Sequence, residues 1–597
     1  MGDDSIGIVA TEVREIELPA EGFRLEKGGA LPRLEVAFER YGALSESGDN
    51  VILICHALSG DAHAAGIHSK EDRKPGWWDL MIGPGKGIDT DRFHVICTNF
   101  LGGCKGTTGP SSQNPETGQP YGSDFPEITI GDMVKVQKLL LEDLGIEKLH
   151  GVIGGSAGGL QVLEWAVRYP GMVCNAVCIA AAESLSAQAL SFDIIARKII
   201  MADPRWKDGH YDAKDLPEQG LSLARMIGHI TYLSKESMDR KFGRERREDM
   251  EATAFNTDFQ IESYLNYQGT SFVDRFDANS FLYITAAMNS FALTDRDPDL
   301  EQVFKETAAR FLIISVDSDW LYPEEQSKEL AESLLRAGKE VTYCNLTAPY
   351  GHDSFLLEND DLTGLLASFF QGKPSRDSRD GSVDFRRDLD IVRKMIEPGS
   401  SVLDLGCGDG GFLADLLAEE GYSGHGVDID VVNIVKCNTR EVPTFQMDLD
   451  QGLGMIPDGH YDYAVLSGTL LEVHKPHQLL EEMVRVARMG ILTFPNFANI
   501  GHRLRLGFKG RLPRAGALPY EWYDTPNIHF LTLRDFKVFC REKDIDIVDI
   551  SCIPDGWLSR LLVKMKWCNL GAGRVVVKIA RKGTVPKVDH GCRVCQD

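Results

Sequence analysis

Residues 152–160 read VIGGSAGGL. One serine, Ser156, stands among glycines and an alanine, between an apolar run and a helical pattern. Small residues let a backbone turn sharply from strand to helix, and the side chain at the turn is then pushed above the sheet edge. KLHGVIGG (148–155) reads as the strand and GGLQVLEWAVRYPG as the helix. The spacing thus predicts a strand–turn–helix unit presenting Ser156 to a cleft.

Outward from this turn, DNVILICHAL (49–58), RFHVICTNFLGG (92–103), NAVCIAAA (175–182), ARFLIISVD (309–317) and EVTYCNL (340–346) are short apolar runs bounded by turn residues. GDMVKVQKLLLEDLG (131–145) has helical apolar spacing and stops at a glycine. Strands alternating with helices imply a mainly parallel sheet covered on both faces. Between about 185 and 305 the pattern turns helical and mixed polar, as in LSAQALSFDIIARKIIM, which predicts a lid inserted over the site.

QGKPSRDSRDGSVD (371–384) has the composition of a linker. A second alternating series follows it: SVLDLGCGDGG (401–411), GHGVDID (424–430), YDYAVLSG (461–468), HQLLEEMVRVAR (477–488) and GILTFPN (490–496). The expected organisation is a first domain over 1–373, a linker over 374–384, a second domain over 385–583 and a disordered tail over 584–597. Cys592 and Cys595 in that tail have CxxC spacing beside His590, too few ligands for a closed zinc site.

The chain has 597 residues, which calls for more than one core. A net charge of −25 disfavours nonspecific binding to nucleic acid or anionic membranes. Thirteen scattered cysteines suit a reducing cytosol rather than a disulfide framework. No basic n-region, long apolar h-region or run of about 18 apolar residues is seen, so the expected location is cytoplasmic.

An elbow serine needs a base and an orienting acid, in the chain order serine, acid, histidine. SVDSDWLYP (315–323) and APYGHDSFL (348–356) each follow a predicted strand, where open α/β sheets build their sites. His352 is the candidate general base and Asp319 the candidate acid, with Asp317 competing for that place. The Ala157 N–H and a donor in CHALSGDAHAAG (55–66), assigned to Leu58, are the candidate oxyanion donors. His56 and His63 are given no chemical step. The expected fold class is α/β, an α/β-hydrolase fold with a helical lid, followed by a Rossmann-like domain of the class I methyltransferase type.

The blocks CHALSGDAHAAG, the long stretch 75–112, GGSAGGLQVLEW (154–165), ARMIGHITYLS (224–234), SDWLYP (318–323) and GHDSFLLE (351–358) together resemble homoserine O-acyltransferases over roughly residues 10–370. That family usually has Met after the elbow serine, where this chain has Ala157. The resemblance implies ping-pong acyl transfer from acyl-CoA through Ser156 to homoserine, for methionine synthesis. It also implies Arg225 on the homoserine carboxylate, Asp353 on its ammonium, Tyr232 as a further substrate contact, and a homodimer. Succinyl-using relatives tend to carry Arg where this chain has Leu321, and GSSGP where it has GTTGP (106–110), so acetyl-CoA is the expected donor. A succinyl donor, a serine acceptor and an esterase are the alternatives. No metal is expected.

In the second domain, VLDLGCGDGGF (402–412) followed by GVDID (426–430) is similar to class I methyltransferase-like domains that bind S-adenosylmethionine. The likeness implies Asp428 as ribose partner, Gly406 and Gly408 in the turn, and Asp404 as a secondary candidate. QMDLDQGL (446–453), LTFPNFAN (492–499), GRLPRAGALPYEWYDTPNIHFLT (510–532) and DFKVFC (535–540) resemble the methionine biosynthesis protein MetW, a companion of homoserine acyltransferases. The chain is therefore expected to fuse an enzyme with its companion in intramolecular contact, the second domain supporting or regulating the first.

Overall fold

The computed structural model describes residues 5–212, 214–247, 259–371, 383–510, 525, 527–584 and 593–594. The chain divides into two compact units, Met1–Phe370 and Gln371–Asp597.

The first unit is built on eight strands: β1 (Glu12–Glu15), β2 (Glu35–Tyr41), β3 (Val51–Cys55), β4 (His94–Thr98), β5 (Leu149–Gly155), β6 (Val173–Ile179), β7 (Arg310–Val316) and β8 (Val341–Leu346). They lie in the order β1-β2-β4-β3-β5-β6-β7-β8. The first two strands are antiparallel additions, and β4 through β8 run parallel. Burial on both faces explains the apolar runs: every residue of VILIC in β3 and HVICT in β4 is buried. Helix α1 (Ile130–Asp143) starts at Thr129, whose side chain accepts from the Asp132 N–H while Asp132 bonds back to the Thr129 N–H, a reciprocal cap. Helix α2 (Ala157–Arg168) follows β5 directly.

Among the described residues six α-helices stand between β6 and β7: α3 (Ala187–Ala202), α4 (Glu218–Tyr232), α5 (Lys235–Lys241), α6 (Gln260–Val273), α7 (Ala278–Asn289) and the short α8 (Leu300–Phe304). Strand β6 stops three residues before the end of the predicted apolar run, because Ala180 takes φ +46° and breaks the extended backbone.

The second unit has strands β9 (Ser401–Leu405), β10 (Ser423–Asp428), β11 (Thr444–Gln446), β12 (Tyr461–Ser467), β13 (Ala487–Pro495), β14 (Ile545–Pro554) and β15 (Ala572–Arg581). Their order is β11-β10-β9-β12-β13-β15-β14. The first five are parallel, and β15 is antiparallel to both its neighbours. The strand order reverses direction between β9 and β12, the place where such sheets open a crevice for ligands. Val392, Val402, Leu413, Leu416, Val465 and Ile491 form part of its core. Most of the predicted linker, residues 374–382, lies outside the described residues, as do Cys592 and Cys595. In the tail, Arg593–Val594 pairs in parallel with Ser551–Cys552. Among the described residues, no helix is long and apolar enough to cross a membrane.

Candidate active site

Ser156 sits between β5 and α2 at φ +57°, ψ −125°, a backbone that L-residues avoid. Its neighbours hold it there. A Cβ on Gly158 would come within 2.0 Å of the Cys55 carbonyl oxygen, and one on Gly154 within 2.6 Å of the Gly158 backbone. Only glycine lets α2 approach β3 and β5 this closely. The Ser156 N–H donates to Ile179 O at 3.0 Å, tying the turn to β6. Strain kept by the surrounding structure in this way is characteristic of a functional turn.

Asp319 and His352 come from the turns after β7 and β8. His352 Nδ1 lies 2.7 Å from Asp319 Oδ2, and both residues are buried. Asp319 Oδ1 accepts from the Leu321 and Tyr322 N–H groups at 2.9 and 3.0 Å. These two N–H groups fix the carboxylate in place, and it orients the imidazole with Nδ1 as donor. Asp317 instead accepts from the Ala348 N–H at 3.1 Å. Burial by itself would lower the His352 pKa, but the adjacent Asp319 carboxylate raises it above its ordinary value. His352 Nε2 has no hydrogen-bond partner among the described residues, so the atom a general base uses is open. Tyr322 stacks on the imidazole at 5.3 Å, and Tyr232 lies 6.0 Å from it.

Ser156, Leu58, Tyr232, Leu321 and Tyr322 line one cavity of about 40 Å³ beneath α3 and α4. The Leu58 N–H carries no hydrogen bond among the described residues. Ala157 is the first residue of α2, so its N–H has no intrahelical partner. Two donors are therefore available at the cleft.

Arg225 on α4 is 9% exposed, and its Nε has no partner. Its guanidinium packs over Phe272 at 4.6 Å and over Tyr232 at 5.5 Å. Among the described residues no carboxylate pairs with it, a costly state for a buried cation. Asp353 is close enough to interact with both His352 and Arg225; burial pushes its carboxyl above the ordinary range, with His352 and Arg225 opposing the rise and Asp319 adding to it. Burial raises Tyr232 to about 12, so its phenol stays neutral.

Sequence reasoning missed Asp193, which lines the Ser156 cavity from α3. Burial pushes its carboxyl up to about 7, opposed by Arg197 one turn along the helix. The acid–base pair at i,i+4 was visible in FDIIAR, but such pairs are usually solvated, and nothing local tells that this one turns inward.

In the second unit, Gly406 and Gly408 follow β9 at φ +72° and +56°. A Cβ on Gly408 would meet nothing within 4 Å, which leaves an open cradle over the turn. The Gly408 N–H donates to Asp428 Oδ2 at 2.9 Å, and Asp428 Oδ1 accepts from the Asp430 N–H and the Asn433 amide at 3.0 and 3.1 Å. Asp404 is buried beneath the turn, and its carboxyl is pushed up to about 7 by burial and by Asp428. Ile429 beside Asp428 is 63% exposed, an apolar surface at the crevice. Positive-φ glycines, an acid at the next strand end and an open apolar face together fit a nucleoside ligand such as S-adenosylmethionine.

A family model for the alpha/beta hydrolase fold matches residues 50–359, and one for methionine biosynthesis protein MetW matches residues 386–579. A bifunctional methionine biosynthesis protein MetXA/MetW from Rhodopirellula baltica is 42% identical over 573 residues, covering 94% of this chain and 92% of that protein. The chain belongs to the MetXA/MetW family. The MetXA part is also similar to a homoserine O-acetyltransferase from Methanohalophilus mahii, 51% identical over 62% of this chain and 74% of that protein. Among solved structures, esterase E22 matches with a TM-score of 0.57 and 32% identity, over 61% of this chain and 100% of that one. Homoserine O-acetyltransferase from Bacillus anthracis matches with a TM-score of 0.55 and 31% identity, over 58% and 94%. The MetXA part thus has the α/β-hydrolase fold, shared by relatives named for transfer and for hydrolysis.

Proposed function

We propose that the chain transfers an acetyl group from acetyl-CoA to the hydroxyl of L-homoserine, giving O-acetyl-L-homoserine. Ser156 Oγ attacks the thioester carbonyl while His352 Nε2 takes its proton, and the CoA thiol leaves with that proton. The Leu58 and Ala157 N–H groups receive the developing oxyanion. Asp319 fixes the imidazole tautomer and stabilises the imidazolium. In the second half-reaction His352 deprotonates the homoserine hydroxyl, which attacks the acyl-serine and frees Ser156.

An elbow serine backed by an Asp–His pair serves hydrolysis and transfer alike. The observation that favours an amino-acid acceptor is the buried Arg225, left without an anion beside Asp353 and His352. A substrate carboxylate would complete it bidentately, and Asp353 would take the ammonium, bringing the acceptor hydroxyl to the acyl-serine. The small Ser156 cavity has no cation in its lining to pair with a succinyl carboxylate, which supports acetyl as the group carried. The test is mass spectrometry of products from homoserine or serine with acetyl-CoA or succinyl-CoA. O-acetylhomoserine is the expected product; mainly free acetate, or a succinyl ester, would overturn the proposal.

In the second unit, Gly406, Gly408 and Asp428 would hold S-adenosylmethionine, with Ile429 under the base and Asp428 accepting from ribose hydroxyls. When bound, that group supplies an electrophilic methyl. Among the described residues none points to a methyl acceptor, and the second unit acts in support of the first. Calorimetric titration with S-adenosylmethionine should give heat that Asp428→Ala removes. Ile194, Ile195, Leu223 and Ile230 on α3 and α4 are partly exposed, which supports a homodimer, to be measured by sedimentation. Ten cysteines are free thiols, which favours a cytoplasmic location, although Cys568 is disulfide-bonded, against the expectation of reduced cysteines throughout.

A further inference from the structure

Glu39 on β2 and two histidines of the loop after β3, His63 and His68, converge on one point, and no step proposed above uses them. One donor atom from each lies within 4.8 Å of the other two. Glu39 Oε2 is 3.0 Å from His63 Nδ1, and Glu39 Oε1 is 2.7 Å from His68 Nε2. The two imidazoles face each other with ring centres 3.9 Å apart. The Glu39 side chain is wholly buried, whereas those of His63 and His68 are 18% and 45% exposed, so the point is open to solvent from the histidine side.

Each of the three groups is held from behind. Tyr41 OH donates to Glu39 Oε2 at 2.9 Å and Thr11 OH to Oε1 at 2.7 Å, which fixes the plane of the carboxylate. The Tyr41 oxygen also accepts from the Ala64 N–H at 2.8 Å, tying the loop to β2 beside His63. Next to His68, the Ile67 N–H donates to Gly7 O at 3.0 Å and the Val9 N–H to Ile67 O at 2.9 Å, so the N-terminal segment clamps the loop there. The His68 N–H donates to Asp72 Oδ2 at 2.8 Å. Hydroxyls that orient a carboxylate and a pinned backbone under two imidazoles prepare a metal site before an ion arrives. The charges acting most strongly on His63 are three carboxylates, Glu39, Asp61 and Asp72, a field that attracts a cation.

We propose that Glu39, His63 and His68 bind one divalent transition-metal ion of the zinc class, with solvent in the fourth position. Two imidazoles and one carboxylate are a donor set for zinc and its first-row neighbours; calcium and magnesium take oxygen ligands. Ligand atoms about 2.1 Å from a tetrahedral ion stand roughly 3.4 Å apart. The separations of 2.7 and 3.0 Å found here therefore have only to open slightly as the ion replaces the protons between ring and carboxylate. The ion takes no part in acyl transfer. It clasps to β2 the loop that begins near the oxyanion donor Leu58, and so stabilises the first unit.

Titration of the full chain with zinc and with cobalt(II), after chelator treatment and dialysis, tests this. Calorimetry with zinc should show a binding event that His68→Ala weakens at least about tenfold. The His68 ring is half exposed, so this variant should keep the wild-type circular dichroism. His63→Gln should weaken zinc in the same way, whereas His210→Ala, at an exposed histidine outside the cluster, should not. Cobalt(II) should give visible d–d bands of a nitrogen and oxygen site, and His68→Ala should remove them. Saturating zinc should raise the unfolding temperature of the wild type and leave that of His68→Ala unchanged. Equal zinc binding by wild type and His68→Ala, or none by either, would overturn the site. A near-ultraviolet thiolate-to-cobalt band that persists in His68→Ala, without d–d bands that the variant loses, would assign the metal to cysteines and overturn it as well.

Discussion

Each unit passes from a central strand through a glycine-rich turn into a helix, and the two turns use glycine differently. Around Ser156, added Cβ atoms on Gly154 and Gly158 would overlap backbone at 2.6 and 2.0 Å. These glycines allow strand and helix to touch, while the strained residue between them is a serine at φ +57°. After β9, Gly408 itself takes positive φ, and the space above it is open. The first turn aims a side chain and the second clears room for a ligand against backbone. Electrostatics follows the same division. At the first turn a buried carboxylate and an imidazole are bonded behind the serine, whereas at the second Asp428 is bonded to the turn it faces. A reacting group has to be held in one place, and a ligand cradle has to remain accessible.

Substitutions can break this contrast. Ser156→Ala should remove the covalent step altogether, with acyl transfer falling at least about 10⁴-fold in a mass-spectrometric product assay and circular dichroism unchanged. Retained turnover would mean that the turn does not aim a nucleophile. Asp319→Asn should cost about 10⁴ in kcat, because the imidazole loses its orienting acceptor. The same change should move the acidic limb of the pH–rate profile. A general base must be neutral, and Asp319 raises the His352 pKa; without that carboxylate, burial lowers it and the limb shifts to lower pH. A limb that stays in place would exclude His352 as the titrating base. Arg225→Leu should reduce kcat/KM for homoserine about 100-fold, from the loss of a charged hydrogen-bonded contact, yet leave hydrolysis of 4-nitrophenyl acetate near wild type. Equal loss with both substrates would place Arg225 in folding rather than in acceptor binding.

The glycines sharpen the comparison through stability. Gly158→Ala forces a methyl group into the Cys55 carbonyl and should destabilise the first unit by about 3 kcal/mol in denaturant unfolding. Gly408→Ala meets no atoms and should cost only about 1 kcal/mol, the penalty of positive φ for alanine, while weakening S-adenosylmethionine binding. Similar losses at both positions would show that the two turns do not differ as described.

How far the sequence reached can be seen residue by residue. Ser156, His352 and the strands before them were readable because small-residue turns, apolar runs and chain order are local properties, and parallel strands bring their C-terminal ends to one rim. The choice between Asp317 and Asp319 was not readable, since both follow the same strand. It was decided by which carboxylate the turn points at the imidazole and which it bonds to Ala348. Asp193 and the isolation of Arg225 were hidden for another reason: the faces of α3 and α4 are set by how the lid helices cross the sheet, not by their own periodicity. Glu39 and the two loop histidines, His63 and His68, come to one point only when the loop after β3 folds against β2. The sequence by itself therefore determined the elements, their order and the turns on which Ser156, Asp319 and His352 stand, because these follow from local backbone preference. Tertiary structure alone decided which charges are left unpaired, because burial and pairing depend on every neighbour that packing brings into reach.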